Sequence, residues 1–303
     1  MKFGKTENTE SIDFRLPADN SKTAEILKQN DRNKPLSVYV GCAKWNKQDL
    51  KNFYPRGTKD ELTYYSRQFN SIELNATFYN MPKPQQVITW RDKTPDGFRF
   101  FPKINQMISH IRRLNNAEML TEEYCDSIIQ FEEKLGMVFL QLHDNFGPKN
   151  FDLLANYVDK FPKAIPLAVE LRNTEWFNNE SVSAKVYQLL ETHGATNILV
   201  DTAGRRDLLH MRLTTPKAFI RYVGANNPES DRVRLDCWIE RLKIWVDLGL
   251  RDVYFFVHQN IEMESPFLSA YFIEKLNCEF GLSLQIPKLI TTESQNGELF
   301  TSS

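Results

Sequence analysis

The feature that most constrains the fold is an alternation of short apolar segments with amphipathic ones along the chain. Eight segments are rich in β-branched and aromatic residues: 37–42, 71–79, 98–104, 137–143, 166–172, 196–201, 218–224 and 252–259. Helical patterns such as KDELTYYSRQF and RLDCWIERLKIWVDLG lie between them. Eight strands alternating with helices over about 250 residues predict a (β/α)8 TIM-type barrel. The connection after the sixth segment is the least regular, so we expect its helix to be short.

A doubly wound α/β sheet is the alternative fold. A dinucleotide-binding sheet would need a glycine-rich turn after its first strand. The segment VGCAKW at this position has a single glycine. We therefore favour the barrel.

The domain boundaries follow from composition. Residues 36–283 carry the repeated pattern and form the predicted barrel domain. Residues 1–35 are polar and mixed in charge, with one weak amphipathic stretch, SKTAEILKQN, so we predict an extension with at most one helix. Residues 284–303 are rich in Ser, Thr and Asn and predict a loosely packed C-terminal tail.

Charge and cysteine usage narrow the class of protein. The 38 Lys and Arg residues balance 39 Asp and Glu residues. The molecule as a whole therefore has no net positive charge that would attract nucleic acid or an anionic membrane. The start, MKFGKTENTE, has no apolar signal segment, and no run approaches the roughly 18 apolar residues of a spanning helix. The four cysteines show no metal or disulfide spacing. We predict a cytoplasmic protein that inserts into no membrane; its oligomeric state is unknown at this stage.

Polar residues recur late in the predicted strands. Successive side chains of a strand face opposite sides, which places Glu73, Asn75 and Thr77 inward, opposite Ile72 and Leu74. The same sorting gives inward polar groups on the other strands: Lys103, Gln141, His143, Glu170, Arg172, Asp201, Arg221 and His258, followed by Asn260. Barrel enzymes do their chemistry at the carboxyl ends of the strands. We therefore predict a polar cleft there.

The same residues could instead form a buried ion-pair network with a purely structural role, because the acidic and basic groups are balanced in number. Replacing such a network by apolar residues is often neutral or stabilising. Stability is therefore a weak reason for a chain to keep one, and the set as a whole favours a functional pocket.

Many short motifs resemble those of domain-of-unknown-function family 72, in the same order, over about residues 38–282. They include VGCAKW, FYP, ELTYYSRQFNSIELNATFYNMP, TPDGFRFFPKI, FLQL, VELRNTEWF, IRYVG and VYFFVHQN. The resemblance implies a TIM-type barrel with an open cleft, and it implies no established activity. Its recurrent polar positions fall on Glu73, Asn75, Lys103, His110, Gln141, Glu170, Arg172 and Arg221. Where the family commonly has an Asn-Asn pair after the eighth strand, this chain has His258, Gln259 and Asn260.

The residue types predict acid/base chemistry on an anion. Glu73 and Glu170 could face each other across the cleft and divide the roles of acid and base. His110, which the resemblance places just after the third strand, could shuttle a proton. Lys103, Arg172 and Arg221 suit a phosphate or carboxylate group. We predict a hydrolase for a phosphorylated, nucleotide or sugar-like anionic ligand, oriented by Asn75, Gln141 and Asn260.

Two alternatives stay open. In KWNKQDLKNFYPR, bases interleave with aromatic residues such as Trp45 and Tyr54, as in proteins that bind single-stranded nucleic acid. The chain could therefore be a nucleic-acid or nucleotide binding module without turnover. A single Mg²⁺ or Mn²⁺ held by Glu73, Glu170, Asp201 and His258 would instead give a phosphodiesterase or isomerase, although the sequence requires no cofactor.

Overall fold

The structure is a computed structural model that describes residues 4–6 and 8–290. The predictions for residues 1–3, 7 and 291–303 lie outside the described residues, and these include most of the predicted C-terminal tail.

All eight predicted strands are present, and several are shorter than predicted. They are β1 (Ser37–Cys42), β2 (Ser71–Leu74), β3 (Arg99–Pro102), β4 (Val138–Gln141), β5 (Leu167–Glu170), β6 (Thr196–Thr202), β7 (Lys217–Val223) and β8 (Asp252–His258). The predicted second strand is the most shortened, because the chain turns at Asn75 into a one-turn helix.

The α-helices of the described residues are α1 (Ser21–Lys28), α2 (Glu61–Tyr65), α3 (Ala76–Tyr79), α4 (Pro84–Asp92), α5 (Glu118–Ile128), α6 (Phe151–Lys160), α7 (Glu180–Thr192), α8 (Pro228–Leu248) and α9 (Ser265–Phe280). Their termini follow the expected chemistry. Asn179 and Asn227 cap the amino ends of α7 and α8 with their side-chain oxygens. Gly249, with φ of 124°, ends α8 where a residue with a Cβ atom would be strained.

The strands pair in parallel as two sheets. One sheet has six strands in the order β1-β8-β7-β6-β5-β4, and the other consists of β2 and β3. The architecture is thus an α/β fold with a curled six-stranded sheet and a separate strand pair. In the described residues, backbone ladders do not join all eight strands of the predicted barrel.

A few hydrogen bonds connect the two sheets on either side of the strand pair. Between β3 and β4, Gly136 N donates to Phe100 O at 2.8 Å, and Ile104 N donates to Phe139 O at 2.9 Å. Between β1 and β2, a side chain replaces the ladder. The Asn70 amide accepts from Val40 N at 2.9 Å and donates to Val38 O at 2.8 Å.

An aromatic cluster fills the space that the strands enclose. Phe101, Phe139, Phe219 and Phe256 come from four strands and are fully buried. The ring centroids of Phe101 and Phe256 are 4.8 Å apart, within the range of favourable aromatic contacts. The inward polar residues come later in the same strands, so this cluster forms the floor beneath them.

The amino-terminal extension packs on the domain. The β6–β7 connection contains only the short 3-10 helix Arg206–Leu208, which agrees with the short helix predicted after the sixth strand. Helix α1 lies against this connection: Thr23 Oγ1 donates to Met211 O at 2.9 Å and accepts from Leu213 N at 3.1 Å. Helix α1 therefore covers part of the sheet that the connection leaves without a long helix.

Across residues 4–6 and 8–290, we find no helix with the length and apolar character needed to cross a membrane.

Candidate functional site

Arg221, on the inward face of β7, connects two carboxylates from different strands. Its Nε and Nη2 atoms donate to Glu73 Oε2 and Oε1, each at 2.7 Å. Its Nη1 donates to Glu170 Oε2 at 2.5 Å. The predicted meeting of Glu73, Glu170 and Arg221 at the strand ends therefore occurs, and the guanidinium lies between the two glutamates.

Glu73 has two further partners. Asn75 Nδ2 donates to its Oε1 at 2.9 Å, and His258 Nε2 lies 2.9 Å from its Oε2. An ionised carboxylate can only accept, so His258 Nε2 carries the hydrogen. His258 Nδ1 is 3.9 Å from Glu262 Oε1 on its other side. Glu262 has no counterpart among the predicted site residues, because it follows the eighth strand by four positions.

Glu170 is held from its own strand end and from β4. Arg172 Nε and Gln141 Nε2 both donate to its Oε1, the latter at 2.9 Å. The Gln141 amide then accepts at Oε1 from Lys103 Nζ at 2.7 Å. Lys103 thus connects to the carboxylates through an amide rather than through a direct ion pair.

Both glutamates are anions. Burial raises the pKa of Glu170, but Arg172 and Arg221 outweigh burial and lower it to about 2. Burial likewise opposes ionisation of Glu73, yet the charges of Arg221 and His258 hold its pKa well below the usual range. The expected division of the two glutamates into a proton donor and a proton acceptor needs pKa values that lie apart. Here both are lowered for the same reason, since they share Arg221.

The Lys103 amine has a pKa near neutral pH. Burial and the charges of Arg221 and Arg172, which outweigh the opposite effect of Glu170 and Glu73, together lower its pKa to about 7. The partners that the described residues give its Nζ are Gln141 Oε1 and the Phe78 ring, whose centroid is 4.0 Å away. The aromatic ring at Phe78 was not foreseen, because its predicted strand position faced outward.

His110 lies beside the same ring. It belongs to a π-helical turn, Met107–Ile111, directly after β3, as the resemblance implied. Its ring packs edge-to-face on Phe78 at 4.9 Å, and its Nδ1 is 2.9 Å from Ser109 Oγ. Burial and the charge on Lys103 lower its pKa to about 4, so the imidazole is neutral at pH 7.

The predicted inward orientation of Asp201 is wrong. Ile198 and Val200 belong to the interior cluster, so the alternate side chains of β6 face the helices. Asp201 there accepts from Arg234 Nη2 and Trp238 Nε1 of α8, each at 2.7 Å. These partners compensate for a carboxylate that is fully buried outside the cleft.

Other predicted residues lie at the rim or away from it. Asn260 is exposed, whereas its neighbour Gln259 is buried and donates to Asp231 Oδ2 at 2.9 Å. Thr77 lies on α3, and its hydroxyl donates to Lys103 O at 2.7 Å, which fixes the backbone of the lysine. The fully buried Trp176 donates to Phe146 O at 2.7 Å and closes the rim as packing.

A pocket of about 180 Å³ lies beside Glu73. Its wall includes Trp45, Asn46, Asn75 and Tyr79. Trp45 is half-buried with its ring edge-on to Trp90 at 5.8 Å, and Tyr79 is 63% exposed. The pocket therefore offers aromatic surface and amide groups next to the charged cluster.

The four side chains suggested for a metal do not converge, because Asp201 is on the helix side of β6. Within the described ranges, no group of three or more His, Cys, Asp or Glu side chains is arranged to hold a metal ion.

Comparisons with known proteins agree with the resemblance. The UPF0759 protein YecE of Escherichia coli is 27% identical over 229 residues, which cover 69% of this chain and 82% of YecE. The UPF0759 protein YunF of Bacillus subtilis is 29% identical over 150 residues, covering 46% of this chain and 52% of YunF.

Solved structures of the same family share the fold. A DUF72 family protein of Thermotoga maritima superposes with a TM-score of 0.65 at 25% identity, covering 79% of this chain and 99% of that one. A DUF72 family protein of Enterococcus faecalis gives a TM-score of 0.65 at 17% identity, covering 83% and 100%. Residues 39–291 match the family described as "Protein of unknown function DUF72", and this chain therefore belongs to the DUF72 family.

Proposed function

We propose that this protein is an acid/base enzyme that acts on a small anionic ligand at the carboxyl ends of the strands, with Lys103 as the group that exchanges the proton. The single observation that carries the proposal is the environment of Lys103. Its amine is buried, contacts an amide and an aromatic ring, and has a pKa of about 7. A general acid or base works best when its pKa lies near the operating pH.

Charge at the cluster supports an anionic ligand. Lys103, Arg172 and Arg221 are three cations when the lysine is protonated, whereas Glu73 and Glu170 supply two negative charges. A phosphate or carboxylate group beside Lys103 would balance the remaining charge and raise the lysine pKa. A phosphorylated, nucleotide or sugar-like substrate of a hydrolase fits this requirement. Because the bound anion keeps the amine protonated, the ammonium would give its proton to the leaving oxygen as a water molecule attacks the phosphorus and the bond between phosphorus and that oxygen breaks. The attacking water releases its own proton to solvent, and the neutral amine regains a proton from solvent.

The other members of the cluster then have supporting roles. Glu73 and Glu170 remain ionised and orient Arg221 and Arg172 toward the ligand. Asn75, Gln141 and His258 position the glutamates through the hydrogen bonds described above. His110, neutral beside Phe78, offers a hydrogen bond at the rim, and Asn260 is the exposed rim residue that could reach a larger ligand.

The architecture in this proposal is a complete (β/α)8 barrel that acts as one unit. Two observations support it: the Asn70 side chain bridges β1 and β2, and the backbone bonds of Gly136 and Ile104 bridge β3 and β4. Side chains from both sheets then meet at Arg221.

Phosphate release from a panel of phosphorylated sugars and nucleotides tests the proposal. Lys103→Gln removes the titrating amine but keeps a polar group of similar length, and it should lower kcat about 10²–10⁴-fold, as for loss of a general acid. Lys28→Gln, on an exposed lysine of α1, is the matched control and should leave kcat unchanged. The wild-type kcat/KM should fall as pH rises through about 7, where Lys103 of the free protein loses its proton. Full turnover by Lys103→Gln would refute the proposal.

The second candidate is a nucleotide-binding protein without turnover. The pocket beside Glu73 favours it, because Trp45 and Tyr79 could stack on a base. Quenching of tryptophan fluorescence by nucleoside monophosphates, lost in Trp45→Leu, together with no product release from any member of the panel, would support this candidate over the first.

A further inference from the structure

The amino-terminal segment covers one side of the strand ends. We call residues 4–6 and 8–20 the strap. Gly4 is buried and lies against the last inward residues of β6 and β7, Thr202 and Val223. These two residues lie one inward layer above Val200 and Arg221, which are paired in register. The family match begins at residue 39, so the strap is an addition to the part of the chain that matches the family.

The contact at Gly4 leaves one polar group without a partner. Gly204 N donates to Gly4 O at 3.1 Å. Thr202 Oγ1 is buried in the same place, and among the described residues it has no hydrogen-bond partner. A buried hydroxyl without a partner costs about 1–3 kcal/mol. The strap therefore satisfies one of two neighbouring donors and covers the other.

The two donors are of the kinds that bind an anion. A backbone N–H and a hydroxyl two residues apart can both donate to the oxygens of one carboxylate or phosphate group. The Gly4 carbonyl oxygen already accepts from one of them. The Gly4 carbonyl oxygen therefore takes the position that one oxygen of such a ligand would occupy.

The end of the strap is weakly held, whereas its remainder is anchored. In the described part of residues 4–13, two hydrogen bonds reach the rest of the domain: the bond to Gly204 and a 3.4 Å bond from Asn227 Nδ2 to Thr9 Oγ1. Further along, Phe14 packs on Arg234, and Asp19 accepts from Trp245 Nε1 at 2.9 Å. Residues 4–6 and 8–13 can therefore leave while residues 14–20 stay in place.

We propose that the strap is a displaceable cover and that the Gly4 carbonyl occupies the place of an oxygen of an anionic ligand, which binds Thr202 Oγ1 and Gly204 N once the strap has moved. The ligand class rests on the proposed function, whereas the covering role rests on the contacts of Gly4 alone. The consequence is a site that is closed in the absence of ligand and that opens on the β6–β7 side.

A full-length variant displaces the strap. Gly4 has φ of +77°, and a methyl group added to it would overlap Thr202 Oγ1, so Gly4→Ala should disfavour the seated position. Gly57 has φ of +86° and open space around the same added methyl. Gly57→Ala is therefore the matched control, with similar backbone strain and no steric clash. A chain that lacks residues 2–6 provides a second displaced form in case Gly4→Ala alters folding.

Thiol labelling measures the covering role without any ligand. Thr202→Cys is introduced together with Cys237→Ser and Cys278→Ser, because Cys278 is exposed and Cys237 half-buried, whereas Cys42 and Cys125 are buried. Labelling by a disulfide reagent should be about tenfold faster or more with Gly4→Ala or the deletion, and unchanged with Gly57→Ala. Equal rates in the covered and displaced forms would overturn the proposal.

Inorganic phosphate tests the ligand role. It should slow labelling of the Thr202→Cys thiol in the displaced forms. In chains with the native cysteines, calorimetry should show phosphate binding about fivefold tighter or more in Gly4→Ala than in Gly57→Ala. Thr202→Val should weaken it. Faster labelling with no effect of phosphate would overturn the role of Thr202, while the Lys103 variants decide the proposed function separately.

Discussion

Arg221 and Glu73 face each other through two parallel hydrogen bonds of 2.7 Å, although their strands belong to different sheets. Both side chains are buried, and the pair connects the β2–β3 strand pair to the six-stranded sheet at the level of the candidate site. The same guanidinium neutralises Glu170. The cluster therefore has a structural role and a chemical role at once, and variants must be chosen to separate the two.

Arg221→Met should be strongly destabilising. It leaves two buried carboxylates without their shared cation, and breaking a buried ion pair from one side costs about 3–5 kcal/mol. Urea unfolding should show the loss. Lys243→Met, which removes a partly exposed partner of Glu240 and Glu279, is the surface control and should leave the free energy of unfolding near the wild-type value. A loss as small as that of the control would show that the network contributes little.

Lys103 should make stability rise with pH. Its pKa is about 7 in the folded protein against an ordinary 10.5, so the unfolded chain binds more protons between these values. The free energy of unfolding should then increase by about 1.4 kcal/mol per pH unit across that window. Lys103→Met should lack this increase. Urea titrations of both proteins at about pH 6, 7.5 and 9 measure it, and parallel profiles for the two would contradict the lowered pKa.

Glu170 should act in the opposite direction at acid pH. Its pKa is about 2 against an ordinary 4.5, so its stabilising effect is complete above the ordinary value and is lost as pH falls toward the folded one. Glu170→Gln should be less stable at neutral pH and should lose less stability on acidification. Thermal unfolding monitored by circular dichroism between about pH 5 and 3 gives the comparison. An equally steep acid loss in Glu170→Gln would assign that loss to other carboxylates.

Strand parity explains how much of the site could be predicted. On β3, β4, β5, β7 and β8, every second side chain is aromatic or small until the strand ends in a polar residue, as with Phe219 followed by Arg221. This pattern identified the side chains that face inward. On β6, both sets are apolar until the end: Ile198 and Val200 on one face, Leu199 on the other. The sequence alone does not decide between Asp201 and Thr202 there, because two of the partners that hold Asp201 on the helix side, Arg234 and Trp238, lie 33 and 37 positions further on.

The missing pieces share a physical cause, which is contact between distant segments. The covering role of Gly4 depends on the hydrogen bond between its carbonyl oxygen and Gly204 N. The amino-terminal extension is polar and mixed in charge, so its sequence has no periodic pattern that would predict this contact. The lowered pKa of both glutamates depends on their sharing Arg221. A single sequence shows which groups approach the strand ends, but it does not show which of them pair.

Asn70 should be essential for joining β1 to β2. Its amide makes two bonds to the backbone of Val40 and Val38, and Asn70→Ala would leave both backbone groups unpaired at a cost of about 1–3 kcal/mol each. Asn30→Ala removes one such bond, to Gly249 O, and should cost less. Hydrogen exchange at Val40 N should accelerate in Asn70→Ala alone. Unchanged protection there would mean that the strands close without the bridge.

Asp201→Asn separates a structural carboxylate from the candidate site. The Asp201 carboxylate faces α8, where Arg234 is 0% exposed and has Asp201 and Asp231 as its ion-pair partners in the described structure. Removing the negative charge should cost about 3–5 kcal/mol, because it leaves the buried guanidinium poorly compensated. Phosphate affinity of the folded protein should be unchanged, since the side chain does not reach the strand-end cluster. Glu73→Gln is the contrasting variant and should alter phosphate affinity through Arg221. If Asp201→Asn lost phosphate binding while keeping wild-type stability, Asp201 would have to face the cleft, and the orientation of β6 described here would be wrong.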